Sequence, residues 1–250
     1  MKYPEDFINK VIQGDCLDLM PHIKSKSIDM ILCDLPYGTT ACRWDVVIPF
    51  EPLWEQYKRI IKDNGAIVLT ASQPFTSALV MSNIKMFKYE WIWAKNSGSG
   101  FLNASKMPMK KHENVLVFYS KLPVYNPQNL IEVNKTIKTR KSFSKDTALG
   151  NIGVKNLGKD YFSKFSNYPI TIQFCPEEKG LHPTQKPVAL FEYLIKTYTN
   201  EGDTVLDNCM GSGISGVACG NLNRNFIGIE LDPEYFKIAE KRINEVQEFK

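Results

Sequence analysis

The chain has 250 residues, of which 43% are hydrophobic and 23% are charged. These values exclude wholesale disorder and allow one large domain, or one domain with an insertion. The six cysteines include no C-x-x-C pair and the three histidines do not fall at zinc-ligand spacing, so no metal site is predicted. The chain also begins without a signal-peptide pattern and has no apolar run of membrane-spanning length. We therefore expect a soluble cytoplasmic protein with reduced thiols and no membrane partner.

Short apolar runs alternate with amphipathic stretches along the chain, which is typical of a sheet covered by helices. The predicted strands are Lys10–Gln13, Ile28–Cys33, Ala66–Thr70, Tyr89–Ala94, Asn114–Tyr119, Thr204–Asp207 and Asn225–Glu230. The predicted helices are Glu51–Ile61, Gln73–Ser82, Val188–Tyr198, Gly213–Asn221 and Pro233–Glu248. This order predicts an α/β fold with a doubly wound, mostly parallel sheet.

Glycine-containing segments interrupt the predicted elements at three places. Asp63–Gly65 and Asn200–Asp203 each end a helix ahead of a strand, and each offers a glycine for a left-handed cap. Ser97–Gly100 follows a predicted strand and is interpreted as a flexible loop. Phe101 on this loop is a candidate to stack on nucleic acid, although most aromatic residues are expected in the core.

The stretch from Leu122 to Leu181 breaks the alternation, because it is rich in Lys, Asn, Ser and aromatic residues. From Lys121 to Lys179 there are ten basic and five acidic residues, a net charge of +5, which leaves −1 of the total +4 for the rest of the chain. Such a concentration is expected of a surface that faces phosphates, although a solvated lysine-rich face would look the same. The predicted organisation is a core formed by 1–121 and 182–250, with 122–181 inserted.

A glycine-rich loop lies between a late strand and a helix. The strand Thr204–Leu206 leads into Gly211–Gly216, which reads G-x-G-x-x-G in a strand–turn–helix setting. Asp207 ends this strand, and Glu230 ends the next, where an acid can accept hydrogen bonds from both ribose hydroxyls. These features fit either a nicotinamide dinucleotide or S-adenosyl-L-methionine.

The residues before the loop help to separate these two cofactors. Pyrophosphate prefers a bare helix N-terminus, whereas the methionine part of S-adenosylmethionine carries an ammonium group that Asp207 would attract. The pair Asp207 and Asn208 therefore favours S-adenosylmethionine. A dinucleotide site and a glycine-rich turn without a ligand remain alternatives at this point.

A second segment, Asp34-Leu35-Pro36-Tyr37, follows an early strand. The exocyclic amine of adenine or cytosine is a weak nucleophile, because its lone pair is delocalised into the ring. Two hydrogen-bond acceptors, one for each N–H, would favour a tetrahedral nitrogen and stabilise the developing positive charge. The Asp34 carboxylate and the Leu35 carbonyl would be these acceptors. Pro36 would stiffen the turn and Tyr37 would stack on the base, although a similar turn also occurs without a substrate.

Together the two segments resemble the motifs of the amino-group DNA methyltransferases, specifically the permuted β type in which the catalytic motif comes first. Asp34–Tyr37 resembles the catalytic D-P-P-Y tetrapeptide, and Asp207–Gly213 resembles the F-x-G-x-G loop. Gln13–Cys16 is similar to the segment that touches the cofactor's adenine, and His182–Pro187 to the segment beside its methionine end. His112 and Glu113 resemble the family's pre-strand pair. The similarity is greatest to small adenine-N6 methyltransferases often carried by phages and prophages.

The resemblance covers about residues 11–119 and 181–245, and it implies a Rossmann-like methyltransferase core, with the insertion 122–181 recognising the target. It implies S-adenosyl-L-methionine as cofactor, DNA as partner, and N6 of a flipped adenine as methyl acceptor; a homodimer is possible by analogy. The implied catalytic residues are Asp34, Leu35, Pro36 and Tyr37. The implied cofactor-binding residues are Asp15, Cys16, Lys186, Asp207, Asn208, Gly211, Ser212, Gly213 and Glu230. Two residues depart from the family pattern: Leu35 replaces a proline and Cys209 a phenylalanine.

Several alternatives remain open from the sequence. Cytosine-N4 methylation uses the same chemistry, but family members acting on cytosine often carry Ser where Asp34 stands. RNA or a glutamine amide would present a similar amine. Cys33 suggests cytosine-C5 methylation, but that chemistry usually needs a Pro-Cys pair, which is absent from the sequence. A nicotinamide-dependent oxidoreductase would leave Asp34–Tyr37 without a role, and the intact tetrapeptide also argues against a non-catalytic DNA-binding relic.

Overall fold

The computed structural model describes residues 1–40, 42, 44–138, 160–177 and 185–248. The chain divides into two compact units, residues 1–126 with 171–250, and residues 127–170. The predicted insertion 122–181 had wider limits than the second unit. Its last part includes a strand that belongs to the sheet of the first unit, as described below.

The described residues form the following elements. The strands are β1 (Lys10–Gln13), β2 (Ile28–Asp34), β3 (Ile61–Ala71), β4 (Phe87–Ser99), β5 (Lys110–Phe118), β6 (Ile131–Ile137), β7 (Tyr161–Ser166), β8 (Ile172–Phe174), β9 (Thr204–Asp207) and β10 (Asn225–Glu230). The helices are α1 (Cys16–Leu19), α2 (Phe50–Ile60), α3 (Phe75–Ser82), α4 (Val188–Tyr198), α5 (Ile214–Asn221) and α6 (Pro233–Glu248), with short 3-10 turns at Met20–His22 and Phe101–Asn103. None of these helices is long and apolar enough to cross a membrane.

The central sheet of the first unit has the strand order β1-β10-β9-β2-β3-β5-β4-β8. The four pairings from β1 to β3 in this order are all parallel, whereas β5 pairs antiparallel with both β3 and β4. β8 pairs with β4 in parallel. The prediction of a mostly parallel α/β sheet is therefore confirmed. The parallel arrangement also brings the carboxyl ends of β1, β10, β9, β2 and β3 to one edge.

Helices cover both faces of this sheet, because successive side chains of a strand point to opposite sides. On β2, Met30 and Leu32 pack with the buried residues of α4, α5 and α6. Ile31 and Cys33 pack on the other face with those of α2 and α3. All four side chains are fully buried, and each such aliphatic side chain contributes roughly 1.5–3 kcal/mol through burial. The sheet is therefore doubly wound, as the sequence predicted.

Two local predictions were wrong. Ser97–Gly100 was predicted as a loop, but β4 continues to Ser99, which pairs with Lys110 across an irregular register. Backbone pairing with β5 holds this weak Gly/Ser sequence in a strand. Gly65 was predicted as a left-handed cap, but its φ is not positive. A Cβ there would lie 2.7 Å from the carbonyl oxygen of Asp29, so close packing explains this glycine, whereas Gly202 does adopt a left-handed φ of 82°.

The second unit contains a two-stranded antiparallel sheet, formed by β6 and β7. Its register pairs Ile131 with Ser166 and Ile137 with Tyr161. The sequence had shown no convincing strand there, because the exposed strands lack an apolar run. Several basic residues counted in the sequence lie outside the described residues: Arg140, Lys141, Lys145, Lys155, Lys159 and Lys179. His182–Thr184 also lies outside them, and the phosphate-facing role of the insertion stays a prediction.

Candidate active site

The candidate site lies at the edge where the parallel strands end. β1 and β10 end side by side, with Gln13 paired to Glu230, and Gly228 of β10 is paired to Asp207 at the end of β9. β9 in turn lies beside β2, whose last residue, Asp34, is paired to Thr70 of β3. Backbone pairing alone therefore brings the two predicted motifs to the same edge.

A cavity of about 570 Å³ opens at this edge, a volume typical of small-molecule sites. The predicted site residues that line it are Asp15, Cys16, Asp34, Leu35, Pro36, Tyr37, Lys186, Asp207, Asn208, Gly211, Ser212 and Glu230. Gly213 was also predicted to bind the cofactor, but it is not among the lining residues. The cofactor loop and the tetrapeptide thus share one cleft.

The glycines of the loop have two different roles. Gly211 has a φ of 52°, and a Cβ built on it would meet nothing within 4 Å, so its backbone faces open space. A Cβ on Gly213 would lie 2.9 Å from the Cα of Ala239, and one on Gly216 would overlap Ile243. Gly213 and Gly216 therefore allow α5 to pack closely against α6, while Gly211 keeps the cavity wall open.

Glu230 is held in a fixed orientation by backbone amides. Its two carboxylate oxygens accept hydrogen bonds from the N–H groups of Gly211, at 2.7 Å, and Asp232, at 2.8 Å. Burial raises the pKa of Glu230, and these amide hydrogen bonds oppose the rise. Each oxygen keeps a further lone pair, so the carboxylate can still accept hydrogen bonds from a diol in the cavity.

Asp207 and Asn208 are buried at the end of β9. Burial raises the pKa of Asp207 to about 7, although a hydrogen bond of 3.2 Å from the Cys209 amide opposes the rise. The Asn208 side-chain oxygen accepts a hydrogen bond of 2.5 Å from the Tyr57 hydroxyl of α2. The start of the cofactor loop is therefore anchored to a helix that follows the catalytic segment.

Asp15 and Cys16 form the opposite end of the cofactor side. Asp15 caps α1 by accepting a hydrogen bond of 2.8 Å from the Leu17 amide, a typical use of aspartate at a helix start. The neighbouring Cys209 side chain lowers the pKa of Cys16, although burial opposes this shift. Cys33 is fully buried, and burial raises its pKa to about 12, so it is a core residue without thiolate character.

Three groups hold the carboxylate of Asp34. Its Oδ1 accepts hydrogen bonds from the Tyr37 hydroxyl, at 2.7 Å, and from the hydroxyl of Thr70. Its Oδ2 lies 2.6 Å from the ammonium group of Lys186. Burial raises the pKa of Tyr37 well above its ordinary value, and the neighbouring carboxylates add to the rise, so Tyr37 donates as a neutral phenol.

Lys186 connects Asp34 to a chain of ion pairs. Its side chain is 4% exposed, and its ammonium also lies 3.3 Å from Glu113, which pairs with Lys95 at 2.5 Å. Burial alone would lower the pKa of Lys186, but Asp34 and Glu113 outweigh it and raise the pKa. Lys186 was predicted to bind the cofactor. The structure pairs its charge with the Asp34 carboxylate instead, so the cofactor role stays a prediction.

The ring of Tyr37 is partly occupied by neighbours. It stacks on Phe75, with the ring centroids 5.1 Å apart and an interplanar angle of 25°. The ammonium of Lys186 lies 5.6 Å from the ring centroid. Stacking of Tyr37 on a base stays a prediction, and the structure adds a second role, because the hydroxyl orients Asp34.

Sequence reasoning missed Asp45, which organises the turn after the tetrapeptide. Its buried carboxylate accepts hydrogen bonds from three successive amides: Gly38 at 2.8 Å, Thr39 at 2.9 Å and Thr40 at 2.7 Å. Burial alone would raise the pKa of Asp45, but hydrogen bonding to this carboxylate outweighs burial and lowers the pKa. The only sequence signal for this role was an acidic residue, Asp45, shortly after the turn whose amides need acceptors.

The part of the chain that the structure describes contains no group of three or more His, Cys, Asp or Glu side chains able to hold a metal ion. The site instead combines a carboxylate with preset orientation, Asp34, and three further acids that line the same cavity: Asp15, Asp207 and Glu230. Such an arrangement can hold a neutral amine on one side and a positively charged ligand on the other.

Comparison with known proteins agrees with this geometry. The family model N6_N4_Mtase, described as a DNA methylase, matches residues 28–241. The chain is 27% identical to the Type II methyltransferase M.HpaI of Haemophilus parainfluenzae, covering 94% of this chain and 74% of the relative. It is also 27% identical to the DNA adenine methyltransferase YhdJ of Escherichia coli (strain K12), covering 94% of this chain and 82% of the relative.

Solved structures give the same result. The crystal structure of the M1.HpyAVI-SAM complex matches with a TM-score of 0.64 and 27% identity, covering 94% of this chain and 98% of that one. The PvuII DNA methyltransferase (cytosine-N4-specific) matches with a TM-score of 0.66 and 14% identity, covering 96% and 91%. The second similarity shows the fold alone.

Proposed function

Because the chain belongs to the N6/N4 DNA methylase family, we propose that it methylates adenine at N6, using S-adenosyl-L-methionine as the methyl donor and DNA as the substrate. The observation that carries the proposal is the shared cavity, which Asp34 lines together with Gly211 and Glu230. The resemblance of Asp34–Tyr37 to the adenine-type tetrapeptide supports adenine as the target base. Similarity to a DNA adenine methyltransferase supports the same choice.

The residues of the cavity fit S-adenosylmethionine. When bound, it supplies an electrophilic methyl group on a positively charged sulfur. Asp207 is suited to the ammonium of its methionine part, and Glu230 to the two hydroxyls of its ribose. Gly211 leaves the backbone open beside them, and Asp15 and Cys16 would lie along the adenine.

The chain's own contribution at the target amine is positioning and charge stabilisation. The Asp34 carboxylate accepts one N–H of the amine and the Leu35 carbonyl accepts the other, which favours a tetrahedral nitrogen. Tyr37, Thr70 and Lys186 hold the Asp34 carboxylate before the base arrives. Preset orientation of this kind avoids reorganisation during the reaction and supplies much of the acceleration. As the amine nitrogen gains the methyl group, the bond between that carbon and the donor's sulfur breaks, and one amine proton leaves to solvent.

The target adenine must leave the duplex to reach this cavity, because its amine is otherwise hydrogen-bonded and stacked between neighbours. Flipping costs on the order of a few kcal/mol. Stacking on Tyr37 and phosphate contacts from the basic insertion would offset this cost.

Cytosine-N4 methylation is the second candidate, since a cytosine-N4-specific enzyme shares the fold. Asp34 favours adenine, because cytosine-specific family members often carry Ser at the corresponding place. An oxidoreductase would leave the hydrogen-bonded Asp34 and Tyr37 without a function, and we set it aside.

The experiment that tests the proposal is incubation with genomic DNA and isotope-labelled S-adenosylmethionine. The DNA is then digested to nucleosides for mass spectrometry, and the modified positions are mapped. We expect labelled N6-methyladenine at one short sequence, and no label with the Asp34→Ala variant. Labelled N4-methylcytosine would select the second candidate. If no nucleoside carries the label, both candidates are rejected.

Two further features belong to this proposal. The protein would act in the cytoplasm, where its DNA substrate is found, and it would form a homodimer as related permuted enzymes often do. Light scattering after size-exclusion chromatography would distinguish a dimer from a monomer.

A further inference from the structure

β4 and β5 extend beyond the edge of the sheet that forms the cavity. The last pairing of β5 with β3 joins Asn114 to Ala71, but β5 begins four residues earlier, at Lys110. At about 3.3 Å per residue, this part projects about 13 Å past the end of β3. Because β5 is antiparallel to β3, the projection is on the cavity side, and Ser99 of β4 itself lines the cavity.

The tip of this hairpin, Gly100–Met109, exposes large apolar side chains. Phe101 is 78% exposed and Leu102 is 95% exposed, while Met107 and Met109 are also exposed. Phe101 and Leu102 lie on a 3-10 turn that follows Gly100, whose φ is 90°. Several large apolar residues exposed together mark an interaction surface.

The charge of the hairpin indicates the kind of partner. From Asn96 to His112 there are three lysines and no acid. Within the described residues, none of Lys106, Lys110 and Lys111 has a carboxylate within ion-pair distance. Burial lowers the pKa of Lys110, and the positive charges of Lys95 and Lys186 lower it further, whereas the negative charge of Glu113 raises it. Lys110 therefore lies close to the ion pairs that involve Asp34 and Glu113. The partner is therefore a polyanion that reaches the cavity.

We propose that the hairpin tip is a wedge for double-stranded DNA: Phe101 and Leu102 enter the base stack next to the target base, and the lysines contact the flanking phosphates. This rests on the proposed function, since a flipped base leaves a gap beside the cavity. Apolar side chains inserted between base steps stabilise such an opened duplex. The wedge would thus stabilise the state of the DNA in which the target base is unpaired.

The chain offers a matched control for Leu102. Ile84 is 55% exposed and precedes β4, whose first residue, Phe87, is paired with Phe118 at the other end of β5. β5 has nine residues, so its two ends lie about 30 Å apart. Ile84 is therefore at the edge away from the cavity, and its replacement removes an apolar side chain of the same size from a place outside the proposed DNA contacts.

The test compares two duplexes that carry the methylated sequence found by mapping. In one the target adenine faces thymine, and in the other it faces an abasic site, so that it is already unpaired. For the variant Phe101→Ala/Leu102→Ala we expect kcat/KM on the paired duplex to fall about tenfold or more. On the abasic duplex the fall should be less than about threefold, because the pairing cost is already removed. Ile84→Ala should change neither rate.

Exposed substitutions of this kind have little effect on stability, so the variants should fold and bind S-adenosylmethionine with the wild-type affinity. Equal losses on both duplexes would overturn the wedge, since they would indicate general DNA binding. Unchanged rates on both duplexes would also overturn the wedge proposal. This holds even if the hairpin tip then proves to bind phosphatidylserine vesicles instead of DNA. If the wild-type enzyme methylates no DNA, the proposed function itself fails, which is a different result.

Discussion

The two walls of the cavity hold their acids in different ways. On the proposed catalytic wall, lined by Asp34, Glu113 and Lys186, each carboxylate pairs with a lysine, and Glu113 also pairs with Lys95 behind the wall. On the cofactor wall, formed by Asp15, Asp207 and Glu230, the carboxylates accept hydrogen bonds from backbone amides. Across the described ranges, no Lys or Arg forms an ion pair with any acid of the cofactor wall.

The difference matches the charges of the two reactants. Buried negative charge without a counter-ion is costly, and a ligand with a sulfonium and an ammonium group relieves that cost on the cofactor wall. On the catalytic wall each carboxylate already has a lysine partner, so a neutral amine would meet an oriented and paired acceptor. In the proposed function, one wall would therefore select a cation and the other would position a nucleophile.

Asp34→Ala removes the acceptor of the catalytic wall and should have the largest effect. We expect kcat to fall by about 10²-fold or more, as when one stabilising group is lost from a preorganised site. The affinity for S-adenosylmethionine, measured by calorimetry, should stay within about twofold, since the cofactor wall is unchanged. Normal turnover in this variant would end the catalytic assignment.

Lys186→Met breaks the charge balance of the catalytic wall. The free energy of unfolding should fall by about 3 kcal/mol in urea titrations, because a buried pair is left with one member. This loss is at the low end of the range for buried ion pairs, because Asp34 is 27% exposed and Glu113 still pairs with Lys95.

The Lys62–Asp29 pair is the control for Lys186, because it also spans 2.6 Å but its lysine is 40% exposed. Lys62→Met should cost only about 0–1 kcal/mol. Equal losses for the two lysines would contradict the contrast between a buried and an exposed pair. Adding Glu113→Gln to Lys186→Met should return part of the lost stability.

Cofactor binding should depend on pH through Asp207, whose pKa is about 7. Because a cationic ligand prefers the ionised acid, the affinity for S-adenosylmethionine should rise about fivefold between pH 6 and pH 7. Asp207→Asn should weaken binding and flatten this dependence in calorimetric titrations. A wild-type affinity that does not change over this range would remove the ammonium assignment.

The same shift predicts an opposite trend in the stability of the cofactor-free protein. The folded state raises the pKa of Asp207 from 3.8 to about 7, so it binds a proton more tightly than the unfolded chain. Its contribution to stability is full below pH 4, declines as the pH rises to 7, and stays constant above that value. Asp207→Asn should remove this decline in Tm.

Tyr37→Phe tests the smallest contribution to the catalytic wall. It removes one hydrogen bond to Asp34, while Thr70 and Lys186 still hold the carboxylate and Phe75 still supports the ring. One hydrogen bond contributes about 1 kcal/mol net, so kcat should fall about fivefold. A loss as large as that of Asp34→Ala would show that the phenol has a further role.

The parts of the fold that follow local rules were predictable from the sequence. β1, β9 and β10 begin and end at the predicted residues, since each is a short apolar run bounded by turn residues. The end of β4 was not predictable, because Ser97–Ser99 has weak strand propensity and depends on pairing with β5.

The composition of the site was predictable only in part. The sequence placed Asp34 and Glu230 at strand ends, from which a shared edge follows. It could not show that Lys186 reaches Asp34 from 152 residues away, or that Asp45 binds three amides, because side-chain pairing depends on tertiary packing. Gly213 was predicted to bind the cofactor, but it packs against Ala239 of α6. In the sequence, a glycine needed for helix packing cannot be distinguished from one needed for close approach of a ligand.

The direct pairing of β9 with β2 has an evolutionary consequence. Two neighbouring strands fix the distance between the reacting partners, so the order of the motifs along the chain does not matter for chemistry. The segment 127–170 connects the two halves of the core, and its described residues supply no strand of the core's sheet. If this segment recognises the target as proposed, its sequence and length can change while Asp34 and Glu230 keep their places at the strand ends.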